Sequence, residues 1–226
     1  MPCWRHLNLA QRAYSPLQWA DSLEQMMALS LDRLAYYEQP VHLVGFSMGG
    51  YVASLVALKQ PAKVASLTLI GFNSDGLTAQ ELSQRQQALQ LINKGKYEGM
   101  SQKKLLSLVH PANAHNQTVI ETIKQMEADL GSPVLASQIK ATTDRENLSS
   151  ALGQSPFPLY FVGGEQDNVA SPEALRQLQM QIPGSEHVVI ADAGHMLPLE
   201  QAKALAEFLQ RVFSQTFSET KACIGT

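Results

Sequence analysis

Along this chain short apolar runs bounded by turn residues alternate with longer stretches of helical spacing. Val41–Phe46 (VHLVGF), Val64–Ile70 (VASLTLI), residues 158–162 (PLYFV) and residues 186–191 (EHVVIA) read as strands, brief and rich in β-branched or aromatic residues. Between them the spacing predicts helices. The one after Gly50 carries Val52, Leu55 and Val56 on one face, and the one from about residue 199 to 213 carries Ala202, Leu205, Leu209 and Val212. Ser171-Pro172-Glu173 opens another, with serine as N-cap and proline at the first helical position, where a missing N–H costs nothing. Residues 19–37 form a helical stretch with Leu23, Met27, Leu31 and Leu34 on its face and Asp21 or Ser22 as its cap. Strands separated by helices imply parallel pairing, and nearly continuous apolar strands imply two covered faces. The expectation is an α/β fold with a doubly wound, mostly parallel sheet, whose ligands sit beyond the carboxyl ends of the strands.

Two regions depart from this rhythm. Residues 73–152 contain no convincing strand but several helical stretches: 78–93, 101–109, 117–130 with Val119, Ile120, Ile123 and Met126 aligned, and shorter ones around 133–141 and 145–152. They read as an inserted helical cap over a core made of residues 1–72 and 153–213, with a frayed tail at 214–226. Ahead of the first helix stands a weak strand candidate, residues 12–15.

Composition narrows the function. The formal net charge of −3 and the lack of a basic run argue against a nucleic-acid surface. Cys3 and Cys223 make no disulfide framework, and no Cys/His cluster has metal-ligand spacing, so both read as free thiols in a reducing cytosol. The opening MPCWRHLNLAQ lacks the apolar stretch of a signal peptide, and no apolar run is long enough to span a membrane. The expected protein is soluble and cytoplasmic, with no membrane partner.

The chemistry gathers in three strand-end loops. Gly45-Phe46-Ser47-Met48-Gly49 is a G-x-S-x-G pattern between a strand and a helix, where a serine hydroxyl projects from a strained turn at a helix N-terminus. A serine nucleophile needs a base, and the base needs an orienting group. PLYFV runs into Gly163-Gly164-Glu165-Gln166-Asp167, and EHVVIA into Asp192-Ala193-Gly194-His195, which places an acid and then a histidine beyond two further strands. Taken singly, each has a plainer reading: a passive serine in a glycine-rich turn, a solvated loop acid, a surface histidine. Asp75, in GFNSDG, is a rival acid, Asp192 reads as fixing its own loop, and His6, His42, His110, His115 and His187 read as structural or solvated.

Together these loops resemble the α/β-hydrolase superfamily, in particular small bacterial capped hydrolases that include carboxylesterase-like enzymes. The likeness rests on GFSMGGYVASLVALKQPAKVASLTLIGFN and PLYFVGGEQDNVASPEALRQLQMQIPGSEHVVIADAGHMLPLEQ and covers about residues 40–213. It implies Ser47 as nucleophile, His195 as general base and acid, Asp167 as its orienting acid, and the Met48 backbone N–H as an oxyanion donor. It further implies a small acyl substrate, with neither metal nor organic cofactor. The cap would shape the pocket through Leu91, Ile92, Met100 and Leu105, with Phe46, Met48 and Phe72 as pocket-floor residues or simple core. The same residues suit thioester, lactone or carbon–carbon bond hydrolysis and acyl transfer, and a non-catalytic binding module or inactive hydrolase-fold remnant lacking half the oxyanion hole is the alternative of another class. The His-Gly or Pro-Gly loop that supplies a second oxyanion donor in this family has no counterpart here. Residues 1–10 look like the helix after that loop and 11–16 like the next strand, so the chain is expected to start beyond it. An unfilled slot beside VHLVGF would expose a sheet edge and favour self-association.

Overall fold

The computed structural model describes residues 5–9 and 11–222, the side chains from residue 216 onward excepted. Helix α1 (Leu23–Ala35) precedes β1 (Val41–Phe46), α2 (Met48–Lys59) and β2 (Val64–Ile70). Four helices follow: α3 (Ala79–Asn93), α4 (Gln102–Leu106), α5 (Gln117–Ala141) and α6 (Ser149–Gly153). The chain then returns through β3 (Leu159–Gly164), α7 (Pro172–Gln181), β4 (Glu186–Ile190), α8 (Leu197–Glu200) and α9 (Ala202–Ala222).

All four strands are parallel, in the order β1-β2-β3-β4. Alternation along them splits the core in two. Leu67, Leu69, Leu159 and Phe161 pack with Tyr51 and Ala57 of α2 and Leu178 of α7 on one face. Ile70, Tyr160, Val162 and Ile190 pack with Leu205, Leu209 and Val212 of α9 on the other. Both faces are thus covered by helices, as the apolar strands require. Among the described strands β1 pairs on one side only, and its residues are mostly half-buried, whereas every residue of β3 is buried.

Most element boundaries lie within a few residues of those predicted by the spacing, and the differences have local causes. Ser22 rather than Asp21 caps α1, accepting the Gln25 N–H at 3.2 Å, and Met26, not Met27, is the buried methionine. The helical stretch from residue 19 starts instead at Leu23, because Leu17–Trp19 forms a separate 3-10 turn. No strand forms at residues 12–15, which have no strand partner. Of the helix expected over residues 1–10, Arg5 and His6 form a 3-10 turn and residues 7–9 are irregular, while 1–4 and 10 lie outside the described residues. Gly131, with φ 72° and ψ 172°, breaks α5 ahead of Pro133, which is why the sequence reads as two helices there. At the carboxyl end α9 continues through Ala222, past the expected start of a frayed tail; 223–226 lie outside the described residues.

Residues between β2 and β3 form no strand, and α3 to α6 occupy that interval. Leu105, Leu108, Val109, Val119, Ile120 and Ile123 build an apolar cluster there that also takes in Met196, with Phe46 and Leu199 packed against it. The interval between β2 and β3, called the insertion below for its place between two strands, therefore reaches the residues that flank Ser47 and His195.

Candidate active site

β1 delivers the chain to a turn so tight that a Cβ on Gly45 would lie 2.5 Å from the Gly49 carbonyl oxygen. Ser47 takes φ 50° and ψ −119°, a region that a residue with a side chain enters only at a cost of about 1–3 kcal/mol. The strain is held by two backbone bonds: the Ser47 N–H donates to Ile70 O at 2.9 Å, and Gly50 N–H to Ser47 O at 2.8 Å. The first ties the turn to the neighbouring strand end, and the second starts α2.

β3 and β4 end beside this turn. Asp167 and His195 are buried, 3% and 6% exposed, deep enough that their polar atoms need partners. Asp167 Oδ1 accepts the N–H groups of Val169 and Ala170 at 2.7 and 2.9 Å, which fix the carboxylate in its loop. His195 Nδ1 lies 3.0 and 3.1 Å from the two Asp167 oxygens, and Nε2 lies 3.1 Å from Ser47 Oγ. An ionised carboxylate only accepts, so this network assigns the ring proton to Nδ1 and leaves the Nε2 lone pair facing the serine hydroxyl. The Phe46 ring sits 5.2 Å from the imidazole, tilted by 36°, and walls one side of it.

Of the rival groups, Asp75 is exposed and its Oδ1 accepts the Ser149 hydroxyl at 2.6 Å, which leaves the histidine to Asp167. Asp192 braces its own loop, as expected. Its φ is 53°, its N–H donates to Glu165 Oε2, and its carbonyl accepts from Asn113 and Gln201. His42 bonds Ser66 Oγ at 2.7 Å within the sheet, where burial lowers its pKa, and His6 and His115 are exposed.

The pocket-floor candidates divide. Phe46 adjoins His195, and Met100 is half-buried against the apolar cluster of the insertion. Phe72 instead fills the core, 3% exposed, because Gly50 leaves room for its ring; a Cβ there would sit 2.7 Å from it. The Met48 side chain packs toward α1 with Met26 and Val52, Leu105 is core of the insertion, Ile92 is half-buried, and Leu91 is exposed.

Three groups escaped the motif-based reading. Gly71, φ +55°, ends β2 where a Cβ would lie 3.2 Å from both Asp167 Oδ2 and His195 Nδ1; its place right after VASLTLI was the available signal. Gly194 allows the backbone of Val109 and His110 to lie against the histidine loop, 2.7 Å from the position of a Cβ. Glu200 spans between the two: Oε1 accepts the Gly194 N–H at 2.9 Å, and Oε2 accepts the His110 N–H at 2.7 Å and Asn113 Nδ2 at 3.0 Å.

His110, Glu165 and Asp192 bring potential metal-ligating atoms within 4.8 Å of one another. His110 Nδ1, however, accepts the Ala112 N–H at 3.1 Å, so the neutral ring carries its proton on Nε2 and offers a donor to the carboxylates rather than a lone pair to a cation. Surface depressions of about 410 Å³ along α9 and 350 Å³ beside Ser149 and Gln181 do not include Ser47, Asp167 or His195.

The chain is 26% identical to the monoacylglycerol lipase ABHD6 of Bos taurus over 78% of its own length and 57% of the lipase's. It is 27% identical to the pimeloyl-[acyl-carrier protein] methyl ester esterase of a Neisseria meningitidis serogroup A strain, over 83% and 63% respectively. It thus spans less than two thirds of either relative. A thermophilic esterase from Thermogutta terrifontis shares its fold with a TM-score of 0.77 at 24% identity, over 86% of this chain and 73% of the other. No helix among the described residues is long and apolar enough to cross a membrane. Residues 18–202, which hold the sheet, the insertion and the three converging loops, match the model of the alpha/beta hydrolase fold, and the chain belongs to that family.

Proposed function

We propose that this chain is a serine hydrolase that cleaves a small carboxylic ester or related acyl substrate. The observation that carries the reading is the unbroken hydrogen-bond path from Ser47 Oγ through the His195 ring to Asp167, at 3.1 and 3.0 Å, mounted on a strained turn. Ser47 Oγ attacks the acyl carbon while His195 Nε2 takes the hydroxyl proton. The carbonyl oxygen becomes an oxyanion beside the Met48 N–H at the start of α2, where the first N–H groups of a helix have no internal partner. The Ser47 N–H cannot serve there, since it is spent on Ile70 O. Asp167 stays ionised and holds the imidazolium. Collapse of the tetrahedral adduct breaks the ester C–O bond, and His195 returns the proton to the departing alcohol. A water activated by the same nitrogen then attacks the acyl-enzyme, releasing the acid and restoring Ser47. The insertion acts as a cap over the site, with Phe46 and Met100 toward the acyl chain. The names of the two relatives support an ester as substrate. A cytoplasmic location is part of the proposal, supported by a sequence whose two cysteines are too few for a disulfide framework.

A non-catalytic binding module is the second reading. It is favoured by β1 having no partner strand on its outer side among the described residues, so that none of these brings a neighbouring strand-end loop past Ser47 from that side. One lost donor costs about 10²–10³ in rate. Labelling with a fluorophosphonate, read by intact mass, separates the two. A single adduct on wild type, absent in Ser47→Ala and strongly slowed in His195→Ala, is the expected result. A folded wild type that takes no label would overturn the hydrolase reading.

A further inference from the structure

We propose that Glu200 is a positioning residue that couples the helical insertion to the loop carrying His195. The catalytic part of this inference rests on the serine-hydrolase reading; its structural part does not. Glu200 closes α8 and is half-buried, and its carboxylate makes no ion pair among the described residues. Three N–H donors hold it instead, from opposite directions. Gly194, the residue before His195, donates to Oε1, and the His110 backbone and Asn113 side chain of the insertion donate to Oε2. On the other side of the histidine the Met196 N–H donates to Leu108 O at 3.0 Å. The peptide that carries the base is therefore held before by Glu200, which His110 and Asn113 also hold, and after by Leu108 O. Asn113 Nδ2 adds a bond to Asp192 O at 2.9 Å, and Asn168 Nδ2, one residue past Asp167, reaches Ser107 O at 3.2 Å.

This arrangement needs a carboxylate. A glutamine at 200 offers one acceptor oxygen, so its NH₂ must face either the Gly194 or the His110 N–H and one anchor is lost. Because reacting groups displaced by about 1 Å can lose about 10²-fold in rate, loosening this peptide is read in turnover more than in binding.

The test compares wild type, Glu200→Gln, Glu200→Ala and Asn113→Ala by two independent readouts. The first is the fluorophosphonate labelling rate per folded molecule, with kcat and KM for a p-nitrophenyl ester. The second is amide hydrogen exchange in peptides covering 108–113 and 194–196, with proton NMR of the His195 Nδ1–H. Both Glu200 variants are expected to label about 10²-fold more slowly with KM within about 3-fold. Both peptides should lose protection together, and the His195 Nδ1 proton should exchange faster. Asn113→Ala, which removes one donor of three, should show a smaller change of the same kind. Labelling at the wild-type rate per folded molecule would overturn the catalytic part, as would a fall explained wholly by a lower folded fraction. Loss of protection in only one of the two peptides would overturn the coupling. A wild type that never labels would count against the hydrolase reading alone, since exchange and NMR still decide whether Glu200 joins the two segments.

Discussion

Two stretches of the same insertion are attached in opposite ways. α3 runs for four turns without one buried residue, and Leu91 on it is 45% exposed. Its order comes from local devices. The Thr78 hydroxyl accepts the Glu81 N–H while Glu81 reaches back to the Thr78 N–H, and Arg85 bonds Thr142 and Thr143 at the end of α5. By contrast, residues 105–123 bury Leu105, Leu108, Val109, Val119, Ile120 and Ile123 against Met196, and they hold the histidine loop through the Met196 N–H to Leu108 O bond and through the Glu200 carboxylate. Helices gain most of their stability from packing an apolar face, so α3, held by its cap and the Arg85 bonds, gains little from burial. Two kinds of segment therefore lie between β2 and β3: a fixed wall at residues 105–123, packed against Met196, and α3, which buries no residue. Gly95 and Gly99, with φ of 63° and 95°, bracket the junction between them, and Glu127 ties it to α5 through Tyr97 and the Met100 N–H. Burial first, and then Glu127, hold the Tyr97 phenol above its usual pKa, so that bond keeps its proton through the neutral range.

The scale for any effect on the site is set by its own acid. Asp167→Asn should lower the labelling rate by about 10⁴-fold, through the wrong histidine tautomer, while Asp75→Asn leaves it within 2-fold, about the noise of the assay. If the two acids scored alike, the Ser149-bonded Asp75 would have a part that its geometry does not give it. Gly194→Ala drives a methyl group into the backbone of Val109 and His110 and should cost about 10²-fold in labelling, since the fixed wall must separate from the histidine. Unchanged labelling would show that the wall is not part of the site.

Stability should divide along the same line. Leu105→Ala empties a fully buried position and should cost about 2–5 kcal/mol in urea unfolding, whereas Leu91→Ala on α3 should stay within about 0.5 kcal/mol. Equal costs would erase the distinction. Thr78→Ala should lose about 1 kcal/mol from α3 alone, seen as faster amide exchange over residues 79–93 without a change over 105–123. A global fall in melting temperature from that substitution would mean that α3 is coupled to the core after all.

What could be read from the chain was whatever its short-range pattern encodes. β2 is the stretch VASLTLI to the residue, and Ser171, Thr78 and Ser101 each cap the helix whose start they mark. The order of serine, aspartate and histidine, each beyond its own strand, was legible because strand ends and turn residues are local signals. The residues 12–15 strand failed for the complementary reason: a strand exists only through a partner, and none of the described strands pairs with that segment. Long-range contacts made the remaining decisions. Only the packed sheet brings Asp167 rather than Asp75 or Asp192 to His195, and of the two readings of Phe72, pocket floor or core, only its approach to Gly50 selects core. Glu200 reads in the sequence as one more helix-end acid. Its role exists solely where the insertion folds back onto the histidine loop, because hydrogen bonds between segments ninety residues apart leave no periodic trace in the chain.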